Sequence, residues 1–132
     1  MPPPRQYIAA LALLVPDYDE ALAYYTGVLG FACVQDDDMG GGKRFVAVMP
    51  PGGETRLVLA RAATSAQAAR IGDQTGGRVF LFLHTDDFAR DHTAYLARGV
   101  EFREAPREEP YGTVAVFRDR FGNLWDLIQP RA

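Results

Sequence analysis

A single cysteine, no excess of basic residues and no long apolar run set the first limits on this chain. With Cys33 alone no disulfide can form within the chain, and none is needed. A chain of 132 residues buries on folding roughly two thirds of the surface it exposes when unfolded. Cys33 lies between Phe31 and Val34 in a strand-like stretch, where a small buried hydrophobe is expected rather than a nucleophile. A formal charge of −3 and a pI near 5.3 leave no basic footprint for nucleic acid or an anionic membrane surface. No apolar run reaches the ~20 residues a membrane-spanning helix requires. Met1-Pro2-Pro3-Pro4-Arg5 lacks the apolar core of a secretory signal, so a cytoplasmic location is expected. These absences leave a neutral or weakly charged small molecule as the partner class.

What the chain does contain is a repeat. At an offset of 70, Leu13-Leu14-Val15-Pro16-Asp17-Tyr18 lies over Leu83-His84-Thr85-Asp86-Asp87-Phe88. At an offset of 68, Val46-Ala47-Val48 lies over the identical Val114-Ala115-Val116, and Arg56-Leu57-Val58-Leu59 over Leu124-Trp125-Asp126-Leu127. A unit this long exceeds solenoid periods and two copies are too few to stack, so one domain built from two facing modules is expected. Module one spans about 7–61, a Gly-, Ala- and Ser-rich linker with one short helix about 62–77, and module two about 78–129.

Each module reads βαβββ. Residues 7–15 form an apolar strand ending at Pro16, and Asp17 opens a helix with Glu20 at capping-box spacing. Tyr18, Ala21, Leu22, Tyr25 and Leu29 fall on one helical face, which Gly30 closes. Strands at about 31–36, 44–49 and 55–61 are separated by the turn signals 36–42 and 50–53. The second module repeats this with strands at 78–85, 100–105, 111–118 and 123–128 and a helix from Asp87 to Gly99. The fold class is therefore α+β: two βαβββ modules forming a pseudo-twofold curved mixed sheet around a cleft. His92 takes the place of Leu22 on the helical face and reads as structural. Gly40-Gly41-Gly42 has no following helix or Lys-Ser/Thr pair, so it reads as a hairpin or lip rather than a phosphate loop.

Period-2 alternation then assigns the faces. If Leu11, Leu13 and Val15 back onto the helix, Ala10, Ala12 and Leu14 face the cleft. Their counterparts are Phe80, Phe82 and His84. Leu124, Asp126 and Ile128 face it from the last strand, and Arg56, Val58 and Ala60 from its equivalent. Arg56 and Arg118 read as rim charges. Tyr111-Gly112 is either a rim or the turn that starts a strand.

The run Asp17…Tyr24-Tyr25…Leu29-Gly30-Phe31 and the segment Phe121-Gly122-Asn123-Leu124-Trp125-Asp126-Leu127 resemble the vicinal oxygen chelate superfamily, which includes glyoxalase I, extradiol dioxygenases and bleomycin resistance proteins. The second segment is similar to the signature Asp-Pro-x-Gly-Asn-x-x-Glu-Leu, with Arg120 for Pro and Asp126 for the acid. The resemblance implies a homodimer, and in the enzymes a divalent metal held by His, Gln or Glu from the first and last strands of each module. Carried onto this chain, those four places fall on Ala10, Val58, Phe80 and Asp126. Three of them have no donor atom, so no cofactor is expected. A relocated site using His84 with Asp86 or Asp126 is the alternative, although His84 stands about 13 Å along the strand from Phe80.

The remaining cleft is mostly apolar: Ala10, Ala12, Leu14, Val58, Phe80, Phe82, Leu124 and Ile128, with Arg56, His84 and Asp126 as its polar members. That composition fits a metal-free binder of a small hydrophobic or aromatic molecule. The competing reading is an enzyme, a lyase, isomerase or extradiol dioxygenase with a relocated metal, or a metal-free catalyst with Asp126 as its base. A third is a dimerisation or regulatory module without a ligand.

Overall fold

A computed structural model describes all 132 residues, which divide into two compact units, Met1–Ala62 and Ala63–Ala132. The first unit runs β1 (Ala10–Val15), α1 (Tyr18–Gly27), β2 (Ala32–Gly40), β3 (Lys43–Met49) and β4 (Arg56–Arg61). Its sheet has the order β1-β4-β3-β2, with β1 and β4 parallel and the other pairs antiparallel. The Asp17 carboxylate accepts the Glu20 N–H at 2.8 Å and so caps α1, an interaction worth about 1 kcal/mol. Tyr18, Ala21, Tyr25 and Leu29 are buried against Leu13, Val15, Val46, Val48, Leu57 and Leu59, which form the core of this unit.

The second unit carries α2 (Ser65–Ala68), β5 (Leu81–His84), α3 (Phe88–Ala97), β6 (Glu101–Phe102), β7 (Arg107–Glu109), β8 (Gly112–Arg118) and β9 (Leu124–Pro130). Its sheet runs β5-β9-β8-β6, with β7 also paired to β8 and only β5 and β9 parallel. Asp87 caps α3 through the Arg90 N–H at 3.0 Å. The core is aromatic. Phe117 stacks on Trp125 with centroids 5.6 Å apart, and Tyr95 and Phe102 meet Phe117 at the same separation. His92 is half-buried, stacked on Phe88 and edge-on to Phe102. The fold class read from the repeat is the one observed, a mixed α+β chain with two mixed sheets.

The structure corrects several local expectations. The first strand begins at Ala10 rather than residue 7, and the strand placed at 78–85 is confined to Leu81–His84. The acidic run Asp36-Asp37-Asp38 is not a turn but the end of β2, and only Gly41 and Gly42 turn the chain, both with positive φ (62° and 82°). Two consecutive left-handed residues are what a tight hairpin needs. An edge strand tolerates charge on its faces, and here Arg44 holds Asp36 by two hydrogen bonds of 3.1 and 2.8 Å and also reaches Asp19 at 2.8 Å. Those Arg44 hydrogen bonds hold the Asp36 carboxyl below its usual range. The same edge position leaves Cys33 exposed, not buried.

The strand expected at 100–105 is broken into β6 and β7. Pro106 has no N–H to give a neighbouring strand, and the Glu104 carboxylate instead accepts the Val116 N–H at 2.9 Å. The identical Val-Ala-Val tripeptides are also not equivalent in space. Ala47 pairs with Val58, but Val116, not Ala115, pairs with Asp126. A slip of one residue exchanges the faces: Val46 and Val48 join the helix-side core of their sheet, whereas Val114 and Val116 stand on the opposite side of theirs.

Candidate functional site

The sheet face turned away from α1 collects the first half of the candidate residues. Register places Ala10 beside Arg56, Ala12 beside Val58 and Leu14 beside Ala60. Because Leu13, Val15, Leu57 and Leu59 are buried on the other side, alternation fixes this face. Along it runs an open groove of about 990 Å³, to which Ala10, Val58, Arg56, Phe45, Met49 and Gln35 contribute. Small Ala9, Ala10 and Gly53 leave the space; Tyr7, Phe45 and Met49 give it apolar walls. Arg56 is held by the Gln35 side-chain oxygen at 3.3 Å, which leaves its other N–H donors for solvent or ligand. The N-terminal segment is tied to this sheet by Arg56 N–H to Ala9 O (2.8 Å) and the Thr55 hydroxyl to Ile8 O (3.2 Å).

In the second unit, Phe82 pairs with Asp126 and His84 with Ile128, while Val116 and Val114 flank the same two β9 residues from β8. Phe80 donates its N–H to Leu124 O at 2.8 Å and continues the pattern. Phe82 is 63% exposed, yet Asp126 between it and Val116 is only 8% exposed. Its Oδ1 is buried and accepts no hydrogen bond. Burial pushes the Asp126 carboxyl above its ordinary range, with nearby Arg107 opposing and Glu104 adding to the rise. Arg107 does not pair with Asp126. Its Nε donates to Glu104 (3.1 and 3.2 Å), and its Nη1 to Glu109 (2.8 Å) and the Tyr111 hydroxyl (3.4 Å).

All the candidates thus fall on the helix-averted faces of the two sheets, in two sets: Ala10, Ala12, Leu14, Arg56 and Val58 on one, and Phe80, Phe82, His84, Leu124, Asp126 and Ile128 on the other. Glu104, Arg107 and Glu109 were not singled out from sequence, nor were Gln35, Phe45 and Met49. The alternation Phe45-Val46-Ala47-Val48-Met49 carried the signal for two of these, and the tripeptide match concealed it. Arg118 pairs with Leu124 and is exposed. Gly112 opens β8, so the turn reading of Tyr111-Gly112 describes its backbone, while half-exposed Tyr111 supports Arg107.

The superfamily's metal does not fit this donor set. The side chains of Ala10, Val58 and Phe80 offer no lone pair, and one carboxylate does not offset the cost of dehydrating a divalent ion. Nor do three His, Cys, Asp or Glu side chains converge anywhere to hold one.

A buried, unpaired carboxyl should cost stability. Because its folded-state pKa is raised, the contribution of Asp126 to stability is fully present below the unfolded value near 4 and is lost as pH rises through the folded value. Asp126→Leu is therefore expected to stabilise the protein at pH 7, by about 1 kcal/mol, and by less at pH 4. Paired melts of both proteins at the two pH values check this; an equal gap at both would refute it.

With this geometry in place, comparison identifies the class. The chain matches the Glyoxalase/Bleomycin resistance protein/Dioxygenase superfamily over residues 7–127, and it belongs to that superfamily. An uncharacterised protein of Shewanella frigidimarina is 50% identical over 127 residues, covering 95% of this chain and 94% of the relative. Among solved structures, TnmS3, an antibiotic binding protein from a Streptomyces species, is similar at 29% identity and a TM-score of 0.77, over 96% of this chain and 98% of that one. A superfamily member from Sphaerobacter thermophilus is similar at 27% identity and a TM-score of 0.73, over 95% and 98% of the two chains. No helix of this protein is long and apolar enough to cross a membrane.

Proposed function

We propose that this protein is a metal-free binder of a small hydrophobic or aromatic molecule, held on the helix-averted face of the first sheet. The observation that carries the reading is the open groove of about 990 Å³, where Tyr7, Phe45 and Met49 stand among the polar Arg5, Gln6, Gln35, Glu54 and Arg56, a volume within the range of small-molecule pockets. The likeness to an antibiotic binding protein supports it. Exposed apolar Tyr7 and Ile8 support a homodimer as part of the proposal, and a light-scattering mass of one chain at all concentrations would remove that part.

The test is a thermal-shift and fluorescence titration with a panel of fused-ring aromatics on metal-stripped protein. Hits are expected, because a ligand that favours the folded state raises the melting temperature. Ala10→Trp, which fills the groove from an exposed edge-strand position, should weaken binding at least about tenfold, the equivalent of about 1.4 kcal/mol. A panel without hits, or binding that requires a stoichiometric metal, would overturn the proposal. The raised Asp126 carboxyl favours a second reading, in which it acts as a base on a bound molecule. Mass-spectrometric detection of a product formed by the native protein and not by Asp126→Asn would establish that reading.

A further inference from the structure

We propose that Arg56 selects, among the apolar molecules the first unit's groove can take, those that carry a single carboxylate, which it binds through the Nε and Nη2 edge of its guanidinium. This rests on the binding function proposed above and specifies the charge of the molecule held.

Register builds the site within one sheet. Gln35 lies beside Ala47 and Ala47 beside Val58, and Arg56, two residues before Val58, shares their helix-averted face. Asp37, two residues after Gln35, lies on that face too, beside Phe45. A direct pair between Arg56 and Asp37 would cancel both charges, but Gln35 stands between them. Its Nε2 donates to Asp37 Oδ2 at 2.8 Å, and its Oε1 accepts from Arg56 Nη1 at 3.3 Å. The amide has one orientation that satisfies both neighbours, since a carboxylate only accepts and a guanidinium only donates. Arg44, Arg90 and Arg107 hold carboxylates directly, whereas Arg56 holds a neutral oxygen. Gln35 engages Nη1 alone, and the Nε and Nη2 edge keeps two parallel donors that match a carboxylate.

The surroundings define the rest of the guest. Tyr7, Phe45 and Met49 stand in the same groove, so the body attached to the carboxylate is apolar and, against two rings, flat. Arg5 adds a second positive charge and Glu54 one negative charge. Two guanidiniums repel an ammonium. One open guanidinium edge, beside Glu54 in a chain of net charge −3, suits a monoanion better than a phosphate dianion. An aryl carboxylate meets these requirements. Because Arg56 is exposed, water and salt screen the pair, and a preference of about fivefold is expected rather than a larger one.

The experiment titrates 2-naphthoate, 2-naphthamide, 2-naphthyl phosphate and 2-naphthylmethylamine into the native protein, Arg56→Met and Gln35→Glu at pH 7 and low ionic strength. The native protein should bind the naphthoate about fivefold more tightly than the isosteric amide, with the gap narrowing at high salt. Arg56→Met should bring the two to equal affinity. Gln35→Glu keeps the guanidinium but gives it a carboxylate of the chain's own, and should also level them, which separates the uncancelled charge from the bulk of the arginine. Equal binding of naphthoate and amide by the native protein, a gap indifferent to salt, a gap kept in either variant, or strongest binding of the phosphate or the amine would overturn the inference and leave the binding function standing. Failure of all four probes to bind the native protein would count against both.

Discussion

Asp119→Ala should lower the melting temperature by about 10–20 °C, at roughly 3–5 °C per kcal/mol for a chain of this size. Asp119 is only 3% exposed and organises the turn between β8 and β9. Its Oδ1 accepts the Phe121 N–H at 2.9 Å and the Asn123 N–H at 3.0 Å, while its Oδ2 accepts the Asn123 side-chain amide and the Trp125 indole N–H, both at 3.0 Å. Alanine would strand four donors at once, two of them on buried side chains. Each stranded donor costs about 1–3 kcal/mol, partly recovered as the turn relaxes, so a net loss of about 3–5 kcal/mol is expected. Asp119→Asn, which keeps one acceptor oxygen, should fall between the two. A circular-dichroism melt of the alanine variant within a few degrees of the native protein would refute this account of the turn.

Gly112→Ala should be as damaging for a different reason. Gly112 opens β8 with φ of 154°, and a Cβ there would lie 2.2 Å from Gln129 O and 3.1 Å from the Pro130 Cα. Both contacts are with backbone, so no side-chain rotation relieves them. The ladder that pairs Gly112 with Pro130 and Thr113 with Gln129 would have to open. Backbone strain and overpacking of this kind each cost about 1–3 kcal/mol, which predicts a loss of about 3–5 kcal/mol. Gly76, with φ of 68° and open space for 4 Å around the place a Cβ would take, is the control: alanine there meets conformational strain without collision and should cost about 1 kcal/mol. Urea denaturation of the two variants side by side tests the distinction, and equal losses would dismiss the collision.

These two positions also show what the sequence could convey. The helix caps, the strand-ending Pro16 and the alternation in β1 and β4 were legible because each is a local signal with one structural answer. Leu13 and Val15 are buried, and Ala10 and Ala12 exposed, as period 2 requires. The faces of β3 and β8 were not legible. Five of the six residues in Val46-Ala47-Val48 and Val114-Ala115-Val116 are buried and the sixth, Val116, is half-buried, so hydropathy there carries no parity, and identity of letters stood in for identity of register. Cys33 and the acids after it were misread because being on an edge is a property of the assembled sheet. The cluster of Glu104, Arg107 and Asp126 joins residues far apart in the chain through the β7–β8–β9 pairing, and no local pattern announces it. The role of Asp119 as a fourfold acceptor is similarly invisible until the turn is closed, although the Asp-x-x-Gly-Asn spacing marked the turn itself.

The strict alternation along β1 and β4 has an evolutionary consequence. Leu13, Val15, Leu57 and Leu59 hold the first unit together, while Ala10, Ala12, Arg56 and Val58 point the other way from the same two strands. Selection can therefore rewrite the second set almost independently of the first, since a change in bulk or polarity on one side leaves packing on the other intact. A lineage built this way can change the shape and polarity of that face many times over without crossing a valley of unfolded intermediates.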